Sequence, residues 1–175
     1  TTASDNVGVG HSALEANTTG TRNTSVGKNS AKAITTASDN TYVGNGAGAA
    51  NTSGDHNTGI GQASMDELTT GGNNTALGSK SLATTTSGSI AIGHSALTAL
   101  TTGAQNVAIG TNAGDAMTTG GDTTLLGHEA GSAITTGNGN TFLGHRSGDA
   151  TTTASNNLAV GTTALGANTT GSENT

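Results

Sequence analysis

Residues 106–122 read NVAIGTNAGDAMTTGGD and residues 123–139 read TTLLGHEAGSAITTGNG; laid one above the other, the two stretches share a frame. In each, two β-forming residues separated by one position (Val107 and Ile109, Thr124 and Leu126) lead to a glycine, Gly110 or Gly127. A small residue stands three places later (Ala113, Ala130), and Thr-Thr-Gly closes the unit. Outward from this pair the same glycine recurs as Gly10, Gly27, Gly44, Gly61, Gly78, Gly93, Gly110, Gly127, Gly144 and Gly161, at a spacing of 17 except for a 15-residue step from Gly78 to Gly93. Ten copies result, and Asn174-Thr175 opens another. Residues 1–175 are therefore one repeat array without a linker, with a shortened coil at about 79–92.

A column precedes each glycine: Val9, Val26, Val43, Ile60, Leu77, Ile92, Ile109, Leu126, Leu143 and Val160. Two places earlier stand Val7, Thr24, Thr41, Thr58, Thr75, Ile90, Val107, Thr124, Thr141 and Leu158. This alternation is strand periodicity with one side facing in, and the helical i, i+3, i+4, i+7 pattern is absent. A unit this short cannot bury its own apolar face, but stacked units bury a thin continuous core. The expected fold is an all-β, parallel β-solenoid or β-roll of about ten coils. Asn6, Asn23, Asn40, Asn57, Asn74, Asn106, Asn140, Asn157 and Asn174 then stack as an amide ladder. The paired threonines stack as hydroxyl ladders, and the shortened coil is where a kink or narrowing is expected.

Composition agrees. The 175 residues include 29 Gly, no Pro, Cys or Trp, one Tyr and one Phe, and apolar residues are 30% of the chain. Large side chains supply most of the burial in ordinary cores, about 1.5–3 kcal/mol each, so a thick two-layer core is excluded. Without Cys there are no disulfides, thiolate metal sites or cysteine nucleophiles. Charged residues are 9% and the net charge is −6. No basic stripe exists to neutralise phosphates, so no nucleic-acid partner is expected. No apolar run approaches the roughly 18–20 residues of a membrane span. Disordered chains are usually highly charged and Pro-rich, which this one is not. No signal-like stretch opens the chain, as expected of a segment or a mature form.

The motifs Asn106-Val-Ala-Ile-Gly110, Asn74-Thr-Ala-Leu-Gly78 and Ile90-Ala-Ile-Gly-His-Ser-Ala96 resemble the head repeats of trimeric autotransporter adhesins. The longer unit with Thr-Thr-Gly is similar to repeats of phage tail fibres and bacterial surface proteins. The resemblance covers every unit. It implies a left-handed parallel β-roll in a homotrimeric extracellular fibre, on a cell surface or a virion tail, that meets a host receptor or surface glycan. Two departures stand out: the unit here is longer than the usual adhesin-head repeat, and neither an anchor nor a chaperone domain is present.

Nothing in the pattern points to catalysis, which needs convergent titratable groups in a concave site; the eleven carboxylates scatter over several columns. No enzyme, cofactor or metal is expected. His11, His94, His128 and His145 share the column after the glycine, which elsewhere holds Lys28, Asn45, Gln62, Ser79, Thr111 and Thr162. His128 and His145 fall on adjacent coils about 5 Å apart, close enough to share a metal ion, although solvated side chains are the plainer reading. Sequons at Asn17, Asn23, Asn51, Asn73 and Asn168 are candidate glycosylation sites in a secretory host. The expected function is that of a structural or adhesive fibre segment, with two alternatives. One is a self-assembling extracellular filament subunit, glycosylated or not, and the other is an ice-binding β-solenoid built on the threonines.

Overall fold

The computed structural model describes residues 3–84 and 87–175. Its strands are β1 (Val7–Val9), β2 (Thr24–Val26), β3 (Thr41–Val43), β4 (Thr58–Ile60), β5 (Thr75–Leu77), β6 (Ile90–Ile92), β7 (Val107–Ile109), β8 (Thr124–Leu126), β9 (Thr141–Leu143) and β10 (Leu158–Val160). They form one parallel sheet in sequence order. Each coil gives one strand and returns through corners, so the described residues build a β-solenoid without helices. At one strand spacing per coil the stack is about 45 Å long.

Hydrogen bonds join neighbouring coils through strands and corners alike. The Thr24 amide donates to Asn40 O at 2.8 Å, Gly27 N to Val9 O at 2.8 Å and Asn29 N to His11 O at 2.8 Å. At the Thr-Thr corner three donors meet one acceptor. Thr18 N (3.0 Å), Thr19 N (3.1 Å) and the Thr18 hydroxyl (2.9 Å) all reach the carbonyl of Thr35. The first hydroxyl of each pair thus bonds to backbone rather than to another hydroxyl, as again from Thr118 to Thr135 O and from Thr135 to Thr152 O. The asparagine column runs beside it. The Nδ2 and backbone N of Asn40 both donate to Asn23 Oδ1, and those of Asn74 to Asn57 Oδ1. Where the column changes residue the ladder continues with a hydroxyl or passes to the next backbone: Asn106 N donates to Ser89 Oγ, and Thr123 N to Asn106 Oδ1.

From β1 to β9, the glycine that follows each strand cannot be replaced at this coil spacing. Gly110 has φ +138°, and a Cβ there would overlap the backbone carbonyl of Gly127. The second and fourth residues after it, and the residue before the asparagine column, also adopt positive φ. In the first coil these are Ser12 (56°), Leu14 (55°) and Arg22 (56°). Left-handed conformations cost non-glycine residues about 1–2 kcal/mol each, an expense borne by the corner-to-corner hydrogen bonds.

The core is one side chain thick. Only the middle residue of each three-residue strand points inward: Ser25, Tyr42, Ala76, Ala91, Ala108, Leu125, Phe142 and Ala159 are buried. The flanking aliphatic and threonine positions face outward. In six coils inward volume is shared between the strand centre and the fourth residue after the glycine, one large and one small; in the coil of Ala108 and Gly114 both are small, and Leu97 and Leu125 of the neighbouring coils fill the space. Tyr42 pairs with Gly48, Leu125 with Gly131 and Phe142 with Gly148, and a Cβ at each of these glycines would strike the large side chain. Conversely Gly59 pairs with buried Met65, Ala76 with Leu82 and Ala91 with Leu97. Close packing leaves room for one large group at that level. A third inward residue completes the layer, as Ile34, Leu68, Leu100, Met117 or Ile134.

At the shortened coil the strand ladder passes through unbroken, with Thr75 opposite Ile90 and Ile90 opposite Val107. The missing two residues are taken from the corner side, where residues 85 and 86 lie outside the described residues.

Two predictions follow from packing. Gly110→Ala should lose more than about 3 kcal/mol, because strain and a backbone clash combine. Gly46→Ala, at positive φ with nothing within 4 Å, should lose about 1 kcal/mol; denaturant midpoints compare the two. The second concerns Tyr42, whose hydroxyl accepts from Asn51 Nδ2 at 3.1 Å. Burial pushes its phenol well above the ordinary value of 10.0. A raised folded pKa means full stability below pH 10 and loss as pH rises beyond it. Tyr42→Phe should abolish this alkaline loss while costing about 1 kcal/mol at neutral pH, since Asn51 loses an acceptor. Adding Asn51→Thr should deepen the loss, because the Asn51 amide also closes its corner with Gly54 N and Gly54 O, both at 2.8 Å.

Candidate functional site

The most extensive surface feature is the outward strand face. The column Val9, Val26, Val43, Ile60, Leu77, Ile92, Ile109, Leu126, Leu143 and Val160 runs the length of the rod, one strand spacing per step. Ile60, Leu126 and Leu143 are 39%, 41% and 42% exposed, large fractions for isoleucine and leucine on a sheet. Beside it lie Thr24, Thr41, Thr58, Thr75, Ile90, Val107, Thr124, Thr141 and Leu158, and none of these positions is charged. A strand has two faces of equal spacing, and the sequence pattern alone does not say which is inside. The coil interior admits only the middle residue, so the aliphatic pair is left outside.

At the threonine corner Thr19, Thr36, Ser53, Thr70, Thr102, Thr119, Thr136, Thr153 and Thr170 are exposed, as are Thr18, Thr69, Thr101 and Thr169 of the preceding column. Of that preceding column, Thr18, Thr35, Thr52 and Thr101 spend their hydroxyls on carbonyls of the next coil.

The histidine column lies at the edge of the aliphatic face. His128 and His145 stack with ring centroids 5.4 Å apart and planes 13° from parallel. Around them, Glu129 Oε1 lies 3.8 Å from His128 Nε2 and Glu129 Oε2 lies 3.4 Å from Arg146 Nε. Arg146 Nε also bonds Asp149 Oδ2 at 2.8 Å. His11 and His94 have no histidine on either adjacent coil. Other charges pair along the stack as well. Arg22 grips Asp39 with two bonds of 2.6 and 2.8 Å, and Lys32 lies 3.6 Å from Glu15. The Arg22 hydrogen bonds hold the Asp39 carboxyl below its ordinary range.

The shortened coil leaves a cleft of about 310 Å³ lined by Asp66, Glu67, Lys80, Ala83 and Thr98. Partial burial, reinforced by Glu67 and offset by Lys80, raises the Asp66 carboxyl. Thr98 spends its hydroxyl on the Lys80 carbonyl at 2.9 Å. Among the described residues, Thr84 Oγ1 is the buried side-chain polar atom without a partner. Nothing in the sequence beyond the 15-residue step marks this place.

The sequon asparagines separate sharply. Asn23 and Asn51 are 1% and 0% exposed, and their amide nitrogens donate to backbone carbonyls inside the coil. The folded chain leaves no room for a glycan on either. Asn17 and Asn168 use the same amide to close the Thr-Thr-Gly corner, donating to Gly20 O and Gly171 O. Asn73 is exposed. Asn40, Asn57, Asn74, Asn106, Asn140 and Asn157 are buried in the ladder. Gly27, Gly44, Gly61, Gly78, Gly93, Gly127 and Gly144 sit against the next coil's backbone as Gly110 does, whereas Gly161, at the last strand, has open space.

No family model, curated protein or solved structure matches the chain. Among the described residues no helix is long and apolar enough to cross a membrane.

The sequons yield a prediction. Expressed in a glycosylating secretory host and folded before modification, the chain should carry an N-glycan at Asn73 in preference to the other four asparagines. Peptide mass mapping, with Asn73→Gln as the control, reads the occupancy; glycan on Asn23 or Asn51 would contradict the burial described above.

Proposed function

We propose that this chain is a rod segment of an extracellular structural or adhesive fibre, in which copies pack side by side through the outward strand face. The observation that carries the reading is the uncharged aliphatic column running the full height of the stack. Contiguous apolar surface of this kind marks an interaction site, and here its period equals that of the coils. A second copy set parallel and in register meets it residue for residue, leucine to leucine and threonine to threonine. Three copies around a common axis is the arrangement implied by the resemblance to adhesin-head and tail-fibre repeats. A coil with one layer of core also gains from it, because thin folds bury too little surface to be comfortably stable alone. The polar remainder of the surface, with its threonine edge and shortened coil, then faces outward toward a host surface or glycan. The extracellular setting rests on the same resemblance.

Light scattering on the purified chain should give three times 16.7 kDa. Ile60→Asp combined with Leu143→Asp should reduce this to a single-chain mass while the β circular-dichroism signal persists. Both side chains already stand half in water, and a charge there is costly only inside an interface. A single-chain mass for the unmodified protein at high concentration would overturn the reading.

A further inference from the structure

We infer that His128 and His145 form a two-imidazole binding site for a first-row transition-metal dication, Cu²⁺ above the others. They occupy the same position on consecutive coils, so the in-register stack of β8 and β9 holds their backbones one strand spacing apart. Their rings already face each other at 5.4 Å. Imidazole nitrogens bind such ions at about 2.0–2.1 Å, which places two adjacent ligands of one ion roughly 3 Å apart. Exposed side chains reach that separation by rotation between staggered conformers, and the His128 side chain is 50% exposed, with the Glu129 carboxylate 3.8 Å from its Nε2.

The surroundings favour a cation. Glu129 lies beside His128, and the positive group Arg146 is already shared between Glu129 and Asp149. The chain as a whole carries −6. Among the described residues no three histidine or carboxylate groups converge to hold an ion, so water fills the remaining positions. Neutral imidazole and the order of divalent-ion affinities together select copper ahead of nickel and zinc. The same column supplies its own control. His11 faces Lys28, and His94 lies between Ser79 and Thr111, so each offers one imidazole. Holding the second ligand close raises its effective concentration, and the pair should bind about 10–100-fold more tightly than either isolated histidine.

The test is a titration of the full, ¹⁵N-labelled chain with copper(II) chloride in a non-chelating buffer at neutral pH, following the histidine ring signals. His128 and His145 should broaden together at about 10–100-fold lower copper than His11, His56 and His94. His128→Asn should return His145 to the behaviour of His11, and His145→Asn should do the same to His128. His11→Asn should change neither, with thermal unfolding confirming that each variant stays folded. Acidification should release the ion, since protons compete for the ligand nitrogens. If all five histidines broaden over one copper range, or if His145 responds equally with and without His128, binding is by single imidazoles and the inference is overturned.

Discussion

The structure depends on one distance, the separation of about 4.8 Å between a coil and the next. Every column of the repeat must tolerate a copy of itself at that distance. Where the backbone ends a strand and turns, the requirement is absolute. The glycines from Gly10 to Gly144 each press against the carbonyl of the next one, and no side chain fits between. From this contact follow the parallel register of the ten strands and the bonding of corner to corner. The two neighbouring stacked series, asparagine amides and threonine hydroxyls, depend on it too. A residue that satisfies itself on the coil above or below is favoured at each such place. For asparagine that means accepting two N–H donors from one neighbouring residue.

That spacing also explains how a chain so poor in large residues forms a core. Each coil adds a layer only one side chain deep, so a large residue needs a small one beside it, in its own coil or the next. Tyr42 lies over Gly48 and Phe142 over Gly148, Tyr42 also reaches Gly59 of the following coil, and Leu97 and Leu125 close on Gly114 between them. Alanine suffices elsewhere, and Tyr42 keeps its hydroxyl buried because Asn51 reaches it. A thin interior has a further consequence: the aliphatic residues of the strand have no inside to enter. They form the outer face, and the hydrophobic surface that a thicker fold would hide stays in contact with solvent.

The shortened coil shows which parts of the repeat are constrained. Two residues are missing, yet the strand pairing and the outward aliphatic column continue across it. The loss is confined to the corner side, where it leaves the cleft around Asp66, Glu67 and Lys80. Coil length varies where the corner faces water, and the charged residues of the rod stand at such outward places. Their pairing follows the stack rather than the chain, as Arg22 with Asp39 and Lys32 with Glu15 demonstrate.

The period, the parallel stacking, the strand at Val107–Ile109 and its copies, and the columns that stack on themselves were determined by the sequence alone. A repeat of 17 makes residue i and residue i+17 neighbours whatever the path of the coil, so Asn23 meets Asn40 and His128 meets His145. The tertiary structure alone decided which side of each strand is inside. Alternation defines two faces without ranking them, and the interior's width admits Ala108 but leaves Val107 and Ile109 in solvent. It likewise decided that Asn51 is buried while Asn73 is exposed, although both begin sequons. It also decided that a cleft lies beside the 15-residue step while the strand pairing runs on unbroken. These outcomes depend on the closed path of a whole coil, through corners whose left-handed residues carry no common sequence signature: Leu14, Arg22, Met65 and Thr163 all adopt positive φ. Neighbours along the rod follow from counting residues, whereas neighbours across a coil follow from how the chain closes around its core.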